Sequence, residues 1–398
     1  TQGSKLYSVL PADGVGDFTF SRNSAATRIN KDGLIETVAV GKSRLNYPLI
    51  DGVVNGCPSH LLEPQRTNFV TYSNNFLDSS WLATDATVVS GVISPDGTSN
   101  AFTLSNTDSS GIIQKAVSIT GTRVLSIFAK KGTHRYLRIG AYGGTQSYAN
   151  FDLENGVVAD GANANIEYYG NGWYRCTCHS VSGATGGVQI FPSNNTTGAA
   201  TTNGSIQIYG VHLQQASTGE TSPTSYIPTT SSSVTRSADT ANGAGDAATF
   251  NDSEGVLMVE ISALANDGTD REMTISDGTN SNRVVIGYNS SNQIVAAVLS
   301  GGIQMLHTIT TDILLTKKIA LKYKQNDFAL WFNGFKVYTD LIGSTFSEST
   351  LNQISFNRPD TAGSVYAKTK QIQYFDSALN DSDLETITSW TSFTDLAN

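Results

Sequence analysis

Five side chains have the chemistry of a sugar-binding surface: Tyr136, Arg138, Tyr142, Tyr148 and Trp173. Aromatic rings can stack on the apolar faces of pyranose rings, and a guanidinium donates hydrogen bonds to hydroxyl groups. Three of the five, at positions 136, 138 and 142, lie on or beside one predicted strand. Trp173 and the tyrosine after it point to opposite faces of another strand, so one of these two rings belongs to the core. Surface tyrosines also mark protein interfaces, so a glycan site and a subunit interface both stay open.

Carboxylates for glycoside hydrolysis are not paired in this sequence. That reaction needs two carboxylates flanking the scissile bond, one as acid and the other as base or nucleophile. The stretch VEISAL, at 259–264, comes nearest to an acidic strand and contributes Glu260 alone. The five histidines share no metal-binding spacing, and neither a G-x-S-x-G motif nor a phosphate-binding loop is present. We therefore predict that the chain is not an enzyme.

One oxygen-rich turn could hold a cation. Residues 276–283, SDGTNSNR, supply hydroxyl and amide oxygens of the kind that Ca²⁺ prefers. This stretch carries one carboxylate and lacks the EF-hand spacing, so an ordinary turn is the favoured interpretation. We predict no cofactor, and structural calcium is the one metal that the sequence leaves open.

Charge and cysteine content restrict the partners. The chain of 398 residues has a formal net charge of −9 at pH 7, whereas nucleic-acid binding needs a basic surface. It has no run of about 18 apolar residues, so we expect no membrane insertion. Cys57, Cys176 and Cys178 are too few for a disulfide framework, and the last two would share one face of a strand. Free thiols fit assembly in a reducing cytoplasm.

Strand patterns fill most of the chain and predict an all-β fold. Short apolar runs bounded by Gly, Asn or Ser recur every 8–12 residues or so, as in antiparallel sandwiches. They form two series, at 69–230 and 249–398, which we interpret as two antiparallel β-sandwiches of jelly-roll type in tandem. Residues 231–248 are rich in Ser, Thr, Gly and Ala and are predicted to be a linker open to proteolysis. Residues 1–68 have few clear strands and are predicted to be an extended arm.

The segment 205–239 closes the first strand series. Its apolar alternation slips at Gly210, which predicts a β-bulge. The run of Ser, Thr and Pro that follows has no periodicity, yet it contains Tyr226 and Ile227 as apolar anchors. A free linker has little use for such anchors, so this segment is expected to be pinned to the first sandwich.

The second series contains the clearest local signals. The stretch KKIALKYKQNDFALWFNGFKVYTDL predicts a hairpin with a turn at 325–327, followed by an Asn-Gly turn. The stretch ALNDSDLETITSW predicts one short helix, capped by Asp381 or Ser382, with Leu384 and Ile387 on one side. Trp81, in the first series, and Trp331 are interpreted as core residues because large aromatics bury the most area.

Four arginines recur in the arm: Arg22, Arg28, Arg44 and Arg66. The favoured interpretation pairs them with Asp and Glu across an interface, and the alternative is ligand contact. The arm has too few alternating apolar residues to form its own core. We expect it to pack on a neighbouring subunit of a symmetric homo-oligomer, such as a trimer, or to cover its own first sandwich.

Two motifs of the arm resemble a leader found in bacteriophage tail and fibre proteins. They are Arg22-Asn23-Ser24-Ala25-Ala26-Thr27-Arg28 and Leu61-Leu62-Glu63-Pro64-Gln65-Arg66-Thr67-Asn68. They mark a phage module and no particular chemistry. The resemblance implies a virion protein that is assembled in the host cytoplasm and contacts other virion proteins.

Both strand series carry resemblances of their own. FAKKG, FDLENGVV and GNGWYRC resemble the carbohydrate-binding jelly rolls of phage fibres. DFALWFNG, ISFN and IQYFDSALNDSDLETIT resemble the concanavalin A-like or laminin-G-like lectin sandwich. Together they imply a tail fibre, spike or head fibre that binds a host cell-surface glycan. The alternatives are a capsid decoration protein without a glycan ligand and an accessory module of a polysaccharide depolymerase.

Overall fold

The protein is all-β, with two antiparallel β-sandwiches in tandem, as the strand patterns predict. The computed structural model describes residues 17–142, 147–180, 184–217 and 219–390. Every strand pair among these residues is antiparallel, and one short helix accompanies them. The alternation of apolar and polar residues gives each strand one face for a core, so two such sheets bury their apolar faces against each other.

The first sandwich contains twelve strands: β9 (Leu82–Thr84), β10 (Ala86–Val92), β11 (Ala101–Asn106), β12 (Ile112–Thr120), β13 (Arg123–Lys131), β14 (Tyr136–Tyr142), β15 (Ser147–Asp152), β16 (Val157–Asp160), β17 (Ala164–Tyr168), β18 (Trp173–Ser180), β19 (Ala184–Ser193) and β20 (Gly204–Gln215). Sheet 1 has the order β10-β11-β20-β13-β18-β17, and sheet 2 has the order β16-β15-β14-β19-β12-β9. The core between them contains Trp81, as predicted for this large aromatic residue. It also contains Cys176 and Cys178, which lie on one face of β18 as predicted. All three cysteines are free, and Cys57 is exposed.

The bulge predicted at Gly210 is confirmed. The register of β13 with β20 shifts between Ser126 and Phe128, and Gly210 has a φ of +59°. The anchors that follow are also confirmed, because Tyr226 and Ile227 are buried and Tyr226 packs on the outer face of sheet 1.

The second sandwich is formed mainly by the strands after residue 253 and the helix: β23 (Glu254–Ala263), β24 (Arg271–Ser276), β25 (Asn282–Tyr288), β26 (Ile294–Ser300), β27 (Ile303–Ile309), β28 (Lys317–Lys324), β29 (Phe328–Phe332), β30 (Phe335–Asp340), β31 (Gln353–Ser355), β32 (Ala367–Phe375) and α1 (Asp381–Thr388). Sheet 4 has the order β27-β26-β25-β24-β31. The predicted hairpins are present, since β28 pairs with β29 and β29 with β30. Trp331 is buried beneath α1, as expected of a core residue.

The helix has a different cap from the one predicted. Asn380, not Asp381 or Ser382, lies at the N-cap, and its side chain accepts a hydrogen bond from the Asp383 amide at 2.9 Å. The prediction placed the cap one or two residues late because Asn, Asp and Ser are all good caps in this run. Leu384 is fully buried on the inner side of the helix.

The arm contributes strands to the rest of the chain: β1 (Thr19–Ser21), β2 (Ala26–Ile29), β3 (Ile35–Val38), β4 (Leu45–Asn46), β5 (Leu49–Ile50), β6 (Val53–Val54), β7 (Ser59–Leu62) and β8 (Arg66–Asn68). The β2–β3 and β5–β6 pairs are local hairpins. In contrast, β7 pairs with β32 and β4 pairs with β7. Sheet 3 of the second sandwich therefore has the order β30-β29-β28-β23-β32-β7-β4.

The described part of the arm buries several of its apolar residues within its own chain. Phe18 and Phe20 belong to the core of the second sandwich, and Ile35 packs on Phe128 and Trp173 at the outer face of sheet 1. This arrangement differs from the expected packing on a neighbouring subunit. It also goes beyond the alternative, because the arm covers both sandwiches rather than the first alone.

Residues 231–248, predicted as a linker, are held against the arm. They contain β21 (Val234–Arg236), which pairs with β8, and β22 (Thr240–Asn242), which pairs with β1. Arg236, Asp239, Ala241 and Ala244 are buried. The composition suggested a linker because small polar residues dominate it, yet the two charged residues are fixed by partners in the arm. The domain limits at 68, 230 and 248 stay a prediction.

A buried ion network fixes the arm to this segment. Arg44 pairs with Glu63 at 2.6 Å and also with Asp239, Arg22 pairs with Asp239 at 3.0 Å, and Arg236 pairs with Glu63 at 2.8 Å. All five side chains are almost completely inaccessible to solvent. We call these five residues the junction network.

The remaining arm arginines also have acidic partners. Arg28 pairs with Glu36, and Arg66 pairs with Glu220. The favoured interpretation of the four arginines, pairing with carboxylates, is confirmed, and the interface lies within one chain. No helix in the described ranges is long and apolar enough to cross a membrane.

Candidate functional site

The outer face of sheet 2 brings together four of the five predicted sugar-binding residues. On β14, Leu137, Ile139 and Ala141 are buried in the core. The residues between them therefore point outward: Tyr136, Arg138, Gly140 and Tyr142. Gly140 stands opposite Tyr148 on β15 and opposite Gln189 on β19. The centre of this face thus lies at a position that has no side chain.

Tyr148 spans that central position. Its hydroxyl donates a hydrogen bond to Gln189 Oε1, so the side chain crosses β14 at Gly140. Gln189 Nε2 in turn donates to Gln114 Oε1 at 2.9 Å. Partial burial raises the pKa of Tyr148, although Arg138 opposes this shift, so the hydroxyl is protonated and acts as a donor at neutral pH. The ring is thereby held in one orientation across the sheet.

Arg138 lies beside the Tyr148 ring. Its guanidinium carbon is 4.5 Å from the ring centroid, a cation–π distance. Its Nη1 donates to Asn150 Oδ1 at 3.0 Å, and Asn150 Nδ2 donates to backbone oxygens of Asn195 and Gly198. The loop after β19 therefore forms a wall on this side of the face. No carboxylate of the described residues lies within ion-pair distance of Arg138, so its charge is available to a ligand.

Tyr142 extends the surface along β14. A Cβ built on Gly187 would lie 2.5 Å from Tyr142 Cε1, so the ring lies close over the backbone of β19. Only a glycine allows this close approach. We call Arg138, Tyr142, Tyr148, Gln189 and Gln114 the platform. It combines two half-exposed rings with a guanidinium and two amides.

The other two predicted residues lie apart from the platform. Tyr136 is on the same face, but its ring already has a cation–π partner, because the Arg135 guanidinium carbon lies 5.3 Å from the ring centroid. Trp173 is 2% exposed on sheet 1, and its indole nitrogen donates to the Ile93 carbonyl at 3.1 Å. Trp173 thus packs under the arm and cannot present a ring face to a ligand.

Sequence reasoning missed the two amides. Gln189 lies between the buried apolar residues Val188 and Ile190, which is the signal for an outward position on a strand. Gln114 gives a weaker signal, because it lies between Ile113 and the charged Lys115, although both of these neighbours are buried. Their convergence depends on β12 and β19 being neighbours, and that pairing joins segments about 75 positions apart.

The other candidate sites have internal partners. Lys370 Nζ lies 3.8 Å from Glu260 Oε1. The Asp277 carboxylate accepts hydrogen bonds from the Thr279 amide at 2.8 Å and from Asn282 Nδ2 at 2.7 Å. The described residues contain no group of three or more His, Cys, Asp or Glu side chains placed to hold a metal.

Comparisons with known proteins give remote structural likenesses. No family model matches the chain, and no curated protein matches it by sequence. The CBM40 of the Ruminococcus gnavus IT-sialidase, bound to α2,6-sialyllactose, is 13% identical with a TM-score of 0.31, over 37% of this chain and 94% of that one. Domain 4 of the Geobacillus stearothermophilus arabinanase AbnA, in complex with arabinotriose, is 8% identical with a TM-score of 0.30, over 42% and 82%.

The NanB sialidase from Streptococcus pneumoniae is 14% identical with a TM-score of 0.29. The match covers 35% of this chain and 25% of the sialidase, so it spans about a quarter of that protein's length. Carbohydrate-binding β-sandwich domains thus occur among the structural neighbours. TM-scores at this level carry no conclusion about what this chain binds.

Proposed function

We propose that this chain is a non-enzymatic, glycan-binding component of a bacteriophage virion, a tail fibre, spike or head fibre that contacts the host surface. The observation that carries the glycan-binding part is the platform on the outer face of sheet 2. The virion part is supported by the resemblance of the arm motifs to phage tail and fibre leaders.

The platform suits a sugar ring for three reasons. The Tyr148 ring is held across the sheet by Gln189, and Tyr142 lies over a glycine backbone next to it. Rings fixed in this way need little ordering when a ligand binds, which reduces the entropic cost of binding. Arg138 and the two amides surround the rings with donors and acceptors that match sugar hydroxyl groups.

A glycan array with the full chain tests this function. We expect Tyr148→Ala to weaken binding by about 2 kcal/mol, roughly thirtyfold, because a central aromatic contact is lost. Tyr148→Phe keeps the ring and removes only the hydrogen bond to Gln189. It should weaken binding about fivefold, since a neutral hydrogen bond contributes about 1 kcal/mol.

Tyr168→Ala is the matched control. Tyr168 is an exposed tyrosine of sheet 1 and contacts Tyr174 rather than the platform. Its substitution should leave glycan binding unchanged. If Tyr148→Ala and Tyr168→Ala bind the array alike, the platform is not the glycan site.

We infer that the chain has no catalytic activity and no cofactor. The support is the solitary position of Glu260, whose neighbour is Lys370 rather than a second carboxylate. Release of reducing ends from a host polysaccharide by the purified chain, abolished by Glu260→Gln, would contradict this inference.

One edge of the second sandwich is a candidate surface for contacts with other virion proteins. At one edge, β27 and β30 lie side by side, since the His307 and Tyr338 rings stack at 4.4 Å. Ile303, Leu341 and Ile342 are 64–81% exposed at the end of this edge. Neighbouring exposed apolar side chains are typical of protein interfaces.

This edge also favours the second candidate function, a capsid decoration protein without a glycan ligand. Cryo-electron microscopy of the virion would decide between the two. A fibre or spike that binds the host should leave the platform open to solvent. A decoration protein should have the platform covered by capsid subunits, and Ile342→Ser should then reduce its incorporation into particles.

A further inference from the structure

A cleft of about 300 Å³ lies between the two sandwiches, beneath the arm. Its walls come from all three parts: Thr27 and Asn46 from the arm, Tyr169 and Arg175 from the β17–β18 hairpin, and Tyr366, Lys368 and Arg271 from the second sandwich. Clefts of this size between domains are common sites for small ligands. The cleft is separate from the platform, because Arg175 is on sheet 1 and the platform is on sheet 2.

Most charges along the cleft are balanced. Arg66 pairs with Glu220, and Arg271 pairs with Asp267. Arg175 is different, because no carboxylate of the described residues lies within ion-pair distance of it. It is 4% exposed, and its hydrogen bonds go to Ser126 Oγ at 3.2 Å, to the Thr224 carbonyl at 2.9 Å and to the His212 ring at 3.5 Å.

The acidic residue nearest to Arg175 in the sheet does not neutralise it. Glu167 on β17 is directly opposite Arg175 on β18. Its side chain is exposed and forms no ion pair with Arg175. Burying a guanidinium without an anionic partner is costly, so a compensating anion in the cleft would stabilise the fold.

The surrounding charges increase this imbalance. The junction network lies next to the cleft, since Glu63 lines it, and contains three arginines against two carboxylates. Arg175 adds a fourth arginine. His212, between Arg175 and the network, is neutral because burial and the nearby arginines hold its pKa far below the usual value. This buried region therefore has an excess of two positive charges.

We propose that the cleft binds a carboxylate-bearing sugar residue, with its carboxylate on Arg175. The sugar part of this assignment rests on the proposed glycan-binding function, whereas the carboxylate rests on the unpaired guanidinium. Nε and Nη2 of Arg175 already donate to internal acceptors, so the carboxylate would accept a charge-assisted hydrogen bond from Nη1. Tyr169, Tyr366 and the polar side chains of the arm then face the sugar ring and its hydroxyl groups.

Titration calorimetry on the full chain, with sodium glucuronate as the probe, tests the proposal. Glucuronate should bind and raise the melting temperature, whereas glucose at the same concentration should do neither. Arg175→Met removes the charge and keeps the length of the side chain. It should raise the Kd for glucuronate at least tenfold, which is about 1.4 kcal/mol. The ligand-free variant should be as stable as the wild type or more so, since no carboxylate loses its partner.

Two further variants keep the test decisive if Arg175→Met does not fold. Glu167→Gln changes an exposed side chain and removes the negative charge opposite Arg175 on the neighbouring strand, so it should tighten glucuronate binding a few-fold. Tyr148→Ala identifies any glucuronate that the platform binds. Binding that persists in Tyr148→Ala and is lost in Arg175→Met belongs to the cleft, which separates failure of this proposal from failure of the platform. The proposal is overturned if wild type fails to bind glucuronate, if Glu167→Gln has no effect, or if sodium sulfate at equal ionic strength raises the melting temperature equally.

Discussion

Replacing Glu63 by Gln should destabilise the whole chain, because Glu63 is the buried acceptor between two arginines. It accepts a hydrogen bond from Arg44 at 2.6 Å and forms an ion pair with Arg236 at 2.8 Å, and Ser225 donates to it through its amide and its hydroxyl. Burial disfavours ionisation of Glu63, but the two arginines and Ser225 outweigh it and hold the pKa of Glu63 well below its usual range. Glutamine would place an NH₂ group against guanidinium donors and leave the three arginine charges of the network with one carboxylate, Asp239.

The magnitude follows from the cost of breaking a buried ion pair, about 3–5 kcal/mol. Unfolding entropy is roughly 2.1 cal/mol/K per residue, or about 0.8 kcal/mol/K for this chain. A loss of about 4 kcal/mol therefore lowers the melting temperature by about 5 °C if the chain unfolds in one transition. The network joins the arm to the segment between the sandwiches, so we also expect the variant to split the transition into two.

Differential scanning calorimetry measures both effects, and Glu36→Gln is the matched control. Glu36 pairs with Arg28 on the surface of the same arm, with side chains 42% and 26% exposed. Such a pair contributes at most about 1 kcal/mol, so the control should shift the melting temperature by about 1 °C. Equal shifts for Glu63→Gln and Glu36→Gln would refute the argument.

The pH dependence gives a second test of the same prediction. The pKa of Glu63 is lower in the folded chain than the value of about 4.3 in the unfolded chain. Its contribution is therefore complete above that unfolded value and is lost as the pH falls toward the folded value. The stability difference between wild type and Glu63→Gln should be largest near pH 6 and should shrink toward pH 3.

Three further predictions concern single buried positions. Burial lowers the pKa of His60 to about 3, whereas the unfolded chain protonates this histidine below about pH 6.5. Protonation of the unfolded chain therefore destabilises the wild type as the pH falls from 7 to 5. His60→Phe should remove about 2 kcal/mol of that loss in the free energy of unfolding, measured by urea titration. Gly210→Ala should cost about 1–2 kcal/mol in the same assay, because the φ of +59° disfavours a Cβ. Burial raises the pKa of Cys178 to about 12 and that of Cys176 well above its usual value, so Ellman's reagent should modify only Cys57 until the chain is unfolded.

Local features of the fold could be predicted because they depend on neighbouring residues. Apolar alternation located the strands of both sandwiches, and a slip in that alternation located the bulge at Gly210. Asn-Gly dipeptides located turns such as Asn333-Gly334, where both residues have a positive φ.

The position of the arm could not be predicted, because it depends on pairing between distant segments. The alternation in SHLL is too short to indicate whether β7 joins the first or the second sandwich. Asp239 lies in a run of small polar residues that reads as a linker, and its role appears only when Arg22 and Arg44 are placed beside it. The arm motifs were recognised as markers of a phage module, and the structure shows that Arg22 and Glu63 within them hold the junction network together.

The candidate site could be predicted in part. Outward alternation on β14 correctly placed Arg138 and Tyr142 on one face. The same reasoning failed for Trp173, because the outer face of sheet 1 is covered by the arm rather than by water. Arg175, on that same face, was missed for the same reason: its isolation from carboxylates depends on everything packed around it.

The pairing of β7 with β32 also has a kinetic consequence. His60 is the partner of Thr369, so this contact joins positions 309 residues apart, 369 minus 60. During synthesis β7 therefore leaves the ribosome about 300 residues before its partner strand. Contacts of such high order are slow to form, because a long loop must close before they contribute any stability. We therefore expect the first sandwich to fold early as an autonomous insertion. The second sandwich must wait for both of these distant segments, so premature termination anywhere before residue 367 leaves β7 paired with β4 alone and with one open, aggregation-prone edge.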